Sequence, residues 1–461
     1  MSALRRLFLA VFVLAAAIVP ESARAVTVEK VVSPGGVEAW LVRDPTIPVV
    51  SVNFAFRGGA ALDPADKLGL SEMAVSLLDE GAGDLDSQSF QRKLNELAVR
   101  LRFDVNLDEV TGALRSLKEN QGAAFDLLRL ALTSPRFDPD AVERIRNQLL
   151  TLLARNAEDP NYIAATRWFR DAFPNHPYGR PVEGTPETVK VLTADDLKAF
   201  AKQRVARDNL LIAVVGDITP EELSPLLDKT FGALPEHATP AVVAETVPAP
   251  PKSDLTVIGR DIPQSVAVFG ESGIKRDDPD YYAAYVMNYI LGGGGFSSRL
   301  TEEVREKRGL AYSVYSYLNP MDHAGIIFGG VATRNAQLKT SVDVIRTEWQ
   351  RLHDGGVTDD ELANAKSYLT GSFALRLDTS EKIAETVLSM RLEGLPIDYL
   401  DHRNALIEAV TKEDIDRVAK RLIDPKNLAF VVVGSPEGIA KASAQPLGKL
   451  PHEPGFSEKP M

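Results

Sequence analysis

The chain has 461 residues, of which 44% are hydrophobic and 25% charged, and this length and composition suit two or three globular domains. Its formal net charge of -12 argues against nucleic-acid binding, because affinity for phosphate depends on clustered lysine and arginine. The sequence contains no cysteine, which excludes disulfides, thiolate metal ligands and a cysteine nucleophile.

The chain begins with a segment typical of a secretory signal peptide. Arg5 and Arg6 precede an apolar run at 7–19, and Ala-Arg-Ala at 23–25 provides small residues for a signal peptidase. The run is shorter than the roughly 20 residues that cross a bilayer. We therefore interpret residues 1–25 as a cleaved signal, expect no membrane span in the mature chain, and predict a periplasmic location.

The next part of the chain mixes the patterns of strands and helices. The predicted strands are 37–42, 49–56, 99–105 and 109–116, the last two as an antiparallel pair. The predicted helices are 70–78 and 141–156, with a counterpart of the second at 361–375. This mixture is typical of an α+β domain.

A sequence repeat relates the two halves of the chain. Residues 193–216 align with residues 411–434 without a gap. Identical pairs include Thr193/Thr411, Asp196/Asp414, Asn209/Asn427 and Gly216/Gly434. Each copy has the pattern of a threonine-capped helix followed by an apolar strand buried on both faces. The sequence therefore predicts a tandem duplication of two α+β domains, each a mainly antiparallel sheet covered by helices.

Prolines separate the two copies. Pro240, Pro248, Pro250 and Pro251 interrupt a stretch without helical or alternating pattern, which indicates a linker of restricted flexibility. The predicted divisions are an N-terminal domain at 26–236, a linker at 237–252 and a C-terminal domain at 253–461.

Several motifs resemble the insulinase/pitrilysin-like zinc peptidases, which include the mitochondrial processing peptidases. They are Asn-His-Pro-Tyr-Gly at 175–179, the glycine-rich stretch at 292–300 and the segment at 305–312. The segment at 305–312 is the most specific of the three. The resemblance covers nearly the whole mature chain. The resemblance implies that, in the two-subunit branch of the family, two chains of homologous domains close around an internal chamber.

The resemblance also implies that the zinc site is degenerate. Catalytic members carry an HxxEH motif that supplies two histidine ligands and a general base. Here Glu72, Val75 and Ser76 stand at the first histidine, glutamate and second histidine positions, and residues 144–157, where a third ligand is expected, contain no acidic side chain. We therefore expect no metal and no catalytic residue in this chain alone. On the residues themselves, Glu72 is interpreted as a solvated side chain near a helix start.

The second half retains a pair suited to substrate binding. Ser297 or Ser298 can cap a short helix that ends at Gly309 and leads into a strand, so that Arg305 and Tyr312 approach each other. A guanidinium and a phenol can both donate to a peptide carbonyl. The resemblance implies that arginine and tyrosine at these positions hold substrate beside zinc.

Structural alternatives remain open for this region. In one alternative, Arg305 and Tyr312 have only a structural role. The arginine would then form an ion pair with Glu302 or Glu303. The ring of Tyr312 would pack with Tyr315 and Tyr317. Gly292, Gly293, Gly294 and Gly295 either end a helix over 281–291 with a tight turn or form a flexible substrate-binding segment. In the second interpretation, the stretch resembles the glycine-rich loop of the noncatalytic mitochondrial subunit.

The sequence thus predicts the non-zinc-binding subunit of a periplasmic, heterodimeric insulinase-like metallopeptidase. A homologous HxxEH subunit would bind zinc in a 1:1 complex, and this chain would supply Arg305 and Tyr312 for peptide hydrolysis. The principal alternative is a catalytically inactive pseudopeptidase that binds peptides or acts as a scaffold in the cell envelope. A self-sufficient zinc enzyme is disfavoured by the missing ligands.

Overall fold

The computed structural model describes residues 26–439, so the predicted signal at 1–25 lies outside the described residues, as do residues 440–461. The strands are β1 (Glu29–Val32), β2 (Glu38–Arg43), β3 (Val49–Arg57), β4 (Gly81–Ala82), β5 (Leu85–Asp86), β6 (Arg100–Val105), β7 (Glu109–Leu117), β8 (Leu210–Gly216), β9 (Leu255–Gly259), β10 (Gln264–Ser272), β11 (Ala311–Pro320), β12 (Gly325–Arg334) and β13 (Ala429–Gly434). The α-helices of the first half are α1 (Leu70–Val75), α2 (Ser87–Glu96), α3 (Gln121–Thr133), α4 (Pro139–Asn156), α5 (Pro160–Ala172), α6 (Pro186–Val191), α7 (Ala194–Arg204) and α8 (Pro220–Phe231). Those of the second half are α9 (Tyr281–Asn288), α10 (Leu338–Gly355), α11 (Asp359–Gly371), α12 (Ser380–Leu392), α13 (Tyr399–Glu408) and α14 (Lys412–Leu422).

Each half contains one large sheet, and the two sheets share a topology. The first has the order β1-β2-β8-β3-β7-β6 and the second the order β11-β12-β10-β13-β9. When the first sheet is read from β6 and the second from β11, the strands correspond one to one, and β1 is the additional sixth strand of the first sheet. All neighbours are antiparallel except the pairs β2–β8 and β9–β13, which occupy equivalent places. The predicted α+β tandem duplication is confirmed.

The repeated helices begin as predicted. The hydroxyl of Thr193 accepts a hydrogen bond from the backbone N–H of Asp196, and Thr411 does the same for Asp414. In each copy the aspartate side chain accepts in return from the threonine N–H, which completes a capping box. The strands that follow these helices, β8 and β13, occupy equivalent interior positions in the two sheets.

One helix from each half packs on the sheet of the other half. Helix α5 of the first half lies on the second sheet, where Trp168 packs edge-on against Phe328 with ring centroids 5.0 Å apart. Helix α12 of the second half lies on the first sheet, where Ala384 and Val387 are fully buried. We call α5 and α12 the exchanged helices. The exchange was not predicted, and it explains why β8 and β13 are apolar on both faces.

The segment at 232–254 joins the halves, and within this described range no helix or strand forms. It is nevertheless tied to both halves by backbone hydrogen bonds. The N–H of Thr246 donates to the carbonyl of His323 at 2.9 Å, and that of Ala249 to the carbonyl of Ala172 at 2.7 Å. The domain bounds at 26–236, 237–252 and 253–461 stay a prediction.

Some helices end earlier than their apolar patterns suggest. The helix predicted at 70–78 stops at Val75, because the chain tightens there into turns in which Leu77 and Leu78 donate to carbonyls three residues back. The predicted 361–375 helix is observed as Asp359–Gly371. Among the helices of residues 26–439, none is both long and apolar enough to cross a bilayer.

Candidate substrate-binding site and degenerate zinc-site helix

Helix α1, which contains Glu72 and Val75 and is followed directly by Ser76, is anchored at its start by a buried ion pair. Gly69 precedes the helix in the left-handed region, at a φ of 86°, which favours glycine. The hydroxyl of Ser71 donates to Asp63 at 2.5 Å, and Arg204 Nη1 lies 3.0 Å from Asp63 Oδ1. Burial raises the pKa of Asp63, an effect that Arg204 opposes. The backbone of α1 is therefore firmly placed.

Glu72 is half-buried, so its interpretation as a solvated residue is wrong. Burial raises the pKa of Glu72 to about 7, and the nearby negative charges of Glu183 and Asp104 act in the same direction. The hydroxyl of Ser76 is 3.5 Å from Oε1 of Glu72, at the limit of a hydrogen bond. Glu72 therefore changes its charge near neutral pH.

The three degenerate positions do not fit a zinc ion. Val75 is apolar and only 2% exposed, and the serine hydroxyl at 76 is not among the usual zinc ligands. Helix α4 provides no acidic residue between Arg144 and Asn156. Across residues 26–439, no group of three or more histidine, aspartate and glutamate side chains is arranged to hold a metal ion.

Arg305 and Tyr312 meet at the start of the edge strand β11. The guanidinium carbon of Arg305 lies 5.0 Å from the centre of the Tyr312 ring, within cation–π range. The chain reverses at Gly309, whose φ is 58° and whose N–H donates to the Arg305 carbonyl at 2.8 Å. A bulge between Ala311 and Ser313 interrupts the pairing with β12, and Tyr312 at that bulge is 84% exposed.

Ser298, one of the two predicted caps, lies shortly before the helical turn that carries Arg305. The N–H of Thr301 lies 3.4 Å from the Ser298 hydroxyl oxygen, at the long end for a cap. The turn is π-helical over Thr301–Glu306, and the Lys307 N–H donates five residues back. The π-helical turn ends at Glu306, three residues before Gly309, where the sequence predicted the end.

The predicted structural partner of Arg305 is wrong. Nε of Arg305 lies 3.3 Å from Oε1 of Glu306. The ion pairs of Glu302 and Glu303 are instead formed with Lys307 and Arg308. The contact with Glu306 is the described ion pair of Arg305, and it involves Nε. The two terminal amino groups are therefore left available as donors.

The predicted packing of Tyr312 against other tyrosines is also wrong. Tyr315 and Tyr317 stack on each other along β11, with ring centroids 6.2 Å apart. Within residues 26–439, the described ring contact of Tyr312 is the one with Arg305. The tyrosine is therefore part of an arginine contact at the surface, where its hydroxyl can reach a ligand.

Phe296 is a third member of this group that the sequence analysis missed. The guanidinium carbon of Arg305 lies 4.6 Å from the centre of the Phe296 ring, which is 72% exposed. Arg305 thus contacts two exposed aromatic rings, and we call Phe296, Arg305 and Tyr312 the aromatic–arginine cluster. The only sequence signal for Phe296 was a large apolar residue directly after four glycines.

The four glycines end a helix in close contact with β11. The chain continues past α9 as a π-helical turn to Gly293. A Cβ atom on Gly292 would lie 2.3 Å from Oγ of Ser316 and 2.7 Å from its backbone nitrogen, so only glycine fits. Gly294 follows, and Gly295 has a φ of 55°. This geometry agrees with the helix-ending interpretation, and contact of these glycines with substrate stays a prediction.

The fold and these two regions define a duplicated, processing-peptidase-like protein whose predicted zinc-motif positions do not fit a metal. A family model described as the peptidase M16 inactive domain matches residues 192–369. The "Non-peptidase homolog YmxG" of Helicobacter pylori is 28% identical over 390 residues, which cover 84% of this chain and 90% of that protein. The "Probable mitochondrial-processing peptidase subunit beta" of Schizosaccharomyces pombe is 25% identical over 414 residues, or 86% of this chain and 88% of that protein.

A solved structure agrees over almost the same extent. The crystal structure of a peptidase M16 inactive domain from Pseudomonas fluorescens has a TM-score of 0.84 and 27% identity, covering 90% of this chain and 99% of that chain. The chain is therefore similar to insulinase-like M16 peptidases and their inactive homologues over most of its length, and its own sequence contains no HxxEH motif.

Proposed function

We propose that this chain is the non-zinc-binding subunit of a periplasmic, heterodimeric insulinase-like metallopeptidase. A homologous partner with an HxxEH motif would bind the zinc ion in a 1:1 complex. This chain would hold the peptide substrate through Arg305 and Tyr312. The observation that carries the proposal is that Tyr312 is 84% exposed and in contact with Arg305, although helix α1 of the same chain does not fit a metal.

The chemistry of the aromatic–arginine cluster supports a role in holding a carbonyl oxygen. A guanidinium and a phenol donate hydrogen bonds, and such donors stabilise the charge that develops on a carbonyl oxygen during peptide hydrolysis. Large exposed rings beside a cation are also typical of surfaces that contact a ligand or partner. These features suit one side of a cleft whose metal is held on the other side.

The heterodimer and the compartment are supported by separate observations. The name of the Schizosaccharomyces pombe relative is that of a subunit, which favours an assembly of two chains. The arginines and apolar run at the start of the sequence favour export, and the chain contains no cysteine.

The name of another relative favours a second function. The Helicobacter pylori relative is called a non-peptidase homolog, which favours a pseudopeptidase that binds peptides or acts as a scaffold without assisting hydrolysis. In that case the aromatic–arginine cluster would bind peptide, and no partner would gain activity from this chain.

Co-expression with an HxxEH homologue from the same genome tests the proposal. We expect a 1:1 complex by size-exclusion chromatography with light scattering, and hydrolysis of a quenched fluorescent peptide that is absent from either chain alone and stopped by a chelator. Arg305→Ala should abolish most of this activity, whereas Arg351→Ala, which removes an exposed arginine of the same half, should not. Separate elution of the two chains without gained activity would favour the pseudopeptidase instead.

A further inference from the structure

We infer that Phe296 is a positioning residue that holds the guanidinium of Arg305 in place for substrate binding. This inference rests on the proposed function of Arg305 and Tyr312. It assigns a purpose to the glycine-rich stretch as well, because that stretch sets the place of Phe296.

The contacts of Arg305 restrict its guanidinium on several sides. The guanidinium carbon lies 4.6 Å from the centre of the Phe296 ring and 5.0 Å from that of Tyr312, and both distances are within cation–π range. Nε lies 3.3 Å from Glu306, so one edge of the group is also engaged. Since the five N–H donors of arginine lie in a fixed plane, holding the group fixes the direction of its free donors.

The side chain of Phe296 is not part of the hydrophobic core. Its side chain is 72% exposed, and within residues 26–439 its described ring contact is the one with Arg305. A large ring exposed to this extent contributes little to the stability of the fold. The contact with the guanidinium is therefore the main interaction of this residue in the free chain.

The four glycines before Phe296 explain how the ring reaches this place. Gly292 packs so closely on Ser316 of β11 that a side chain would clash with its hydroxyl and its backbone nitrogen. Gly295, directly before Phe296, adopts a φ of 55° that other residues rarely adopt. The glycines let the end of helix α9 approach β11 and turn, which places Phe296 beside the guanidinium of Arg305.

The consequence for catalysis is geometric. A donor that acts on the transition state must be placed to within a fraction of an ångström, and misplacement by about 1 Å can lower the rate by about 100-fold. Without the Phe296 ring, the guanidinium can leave the Tyr312 ring and rotate. We expect Phe296→Leu to lower kcat of the complex by about 10- to 100-fold with little change in KM, and Phe296→Tyr to restore it.

The first experiment needs no partner. The isolated full chain is treated with phenylglyoxal, and modification of each arginine is followed by peptide mass spectrometry, with the exposed Arg102 as internal reference. Rings against the guanidinium hinder the bulky adduct, so Phe296→Leu should speed modification of Arg305 several-fold and Phe296→Tyr should not. Leu375→Ala, which truncates a similarly exposed apolar side chain (74%) in the same half, is the matched control. An unchanged rate for Arg305 in Phe296→Leu would overturn the positioning contact.

The second experiment measures kcat and KM of the same variants in the complex. If Arg305→Ala lowers turnover while Phe296→Leu does not, the positioning role is wrong and the proposed function stands. If no complex hydrolyses peptide, the proposed function fails and the role of Phe296 in substrate binding falls with it, whereas the labelling rates still decide whether Phe296 holds Arg305. Loss of kcat in Phe296→Leu that Phe296→Tyr reverses, together with faster labelling, supports the inference.

Discussion

Arg391 of the exchanged helix α12 donates a hydrogen bond to the carboxylate of Glu38 in the first half, with 3.0 Å between Nη2 and Oε1. Its other terminal nitrogen donates to the carbonyl of Ile212 in β8 at 2.8 Å. The guanidinium also lies 5.4 Å from the centre of the Trp40 ring. A helix encoded in the second half is thus fixed to two strands of the first, so the stabilities of the halves are linked.

The first prediction concerns this linkage. Val387→Ala should lower the free energy of unfolding by about 2 kcal/mol, because it removes fully buried carbon atoms between α12 and the first sheet. Both halves should still unfold in one transition, seen at the same urea concentration by Trp40 and Trp349 in single-tryptophan variants. Val191→Ala, at a side chain 61% exposed, is the control and should change little. Separate transitions for the two probes would show that the halves are independent.

The second prediction concerns the pH dependence of stability at Glu72. Its pKa is raised from 4.5 to about 7 by burial and by Glu183 and Asp104, so the folded state retains a proton that the unfolded state has lost between these pH values. The stability associated with this group is therefore present below about pH 4.5 and is lost as the pH rises to about 7. Glu72→Gln should be more stable than the wild type by at most about 3 kcal/mol at pH 8, and equally stable near pH 4.

Chemical denaturation at several pH values measures this difference. Glu158→Gln, which neutralises an exposed carboxylate, should show no comparable gain. A gain in Glu72→Gln that is the same at pH 4 and pH 8 would contradict the linkage to ionisation, as would a loss of stability at pH 8.

The third prediction concerns metal. Because Glu72, Val75 and Ser76 stand where the resemblance predicts the ligands and the base, the purified chain alone should retain no stoichiometric zinc and cleave no peptide. Elemental analysis after dialysis and a peptide assay with and without chelator measure both properties. One tightly held zinc per chain with chelator-sensitive hydrolysis would show that a site forms from other residues.

The fourth prediction separates function from structure at Arg305 and Tyr312. In the complex, Arg305→Ala and Tyr312→Phe should each lower turnover by about 100- to 1,000-fold, the usual effect of losing one donor to a developing oxyanion. Melting temperatures should stay close to the wild type, because Tyr312 is 84% exposed and Tyr312→Phe retains the ring that contacts Arg305. Unchanged turnover in both variants would remove the pair from the reaction, and Arg351→Ala again provides the control.

The sequence was sufficient for the features that depend on neighbouring residues. The threonine-capped helices and the apolar strands β8 and β13 follow from short patterns, and the pairing of Arg305 with Tyr312 follows from a reversal at Gly309. Each of these is decided within a few residues of chain. They were therefore predictable before any tertiary contact was known.

The features that were missed depend on residues far apart in the chain. An amphipathic helix such as α5 shows that one face is buried, but not that the sheet beneath it belongs to the other half. The burial of Glu72 likewise arises in the folded surroundings that it shares with Asp104 of β6 and with Glu183. The stacking of Phe296 on Arg305 requires the position of the β11 edge, which a pattern of residues does not give.

The exchange of α5 and α12 also bears on how such a chain could arise. Two equivalent helices, each on the other unit's sheet, form the arrangement expected of two identical copies about a two-fold axis. A single half would leave one sheet face uncovered, and we expect it to self-associate by swapping this helix. Joining the copies in one polypeptide removes the need for identical sequences, so that the two copies can carry different side chains, such as the arginine and the tyrosine at the surface of the second.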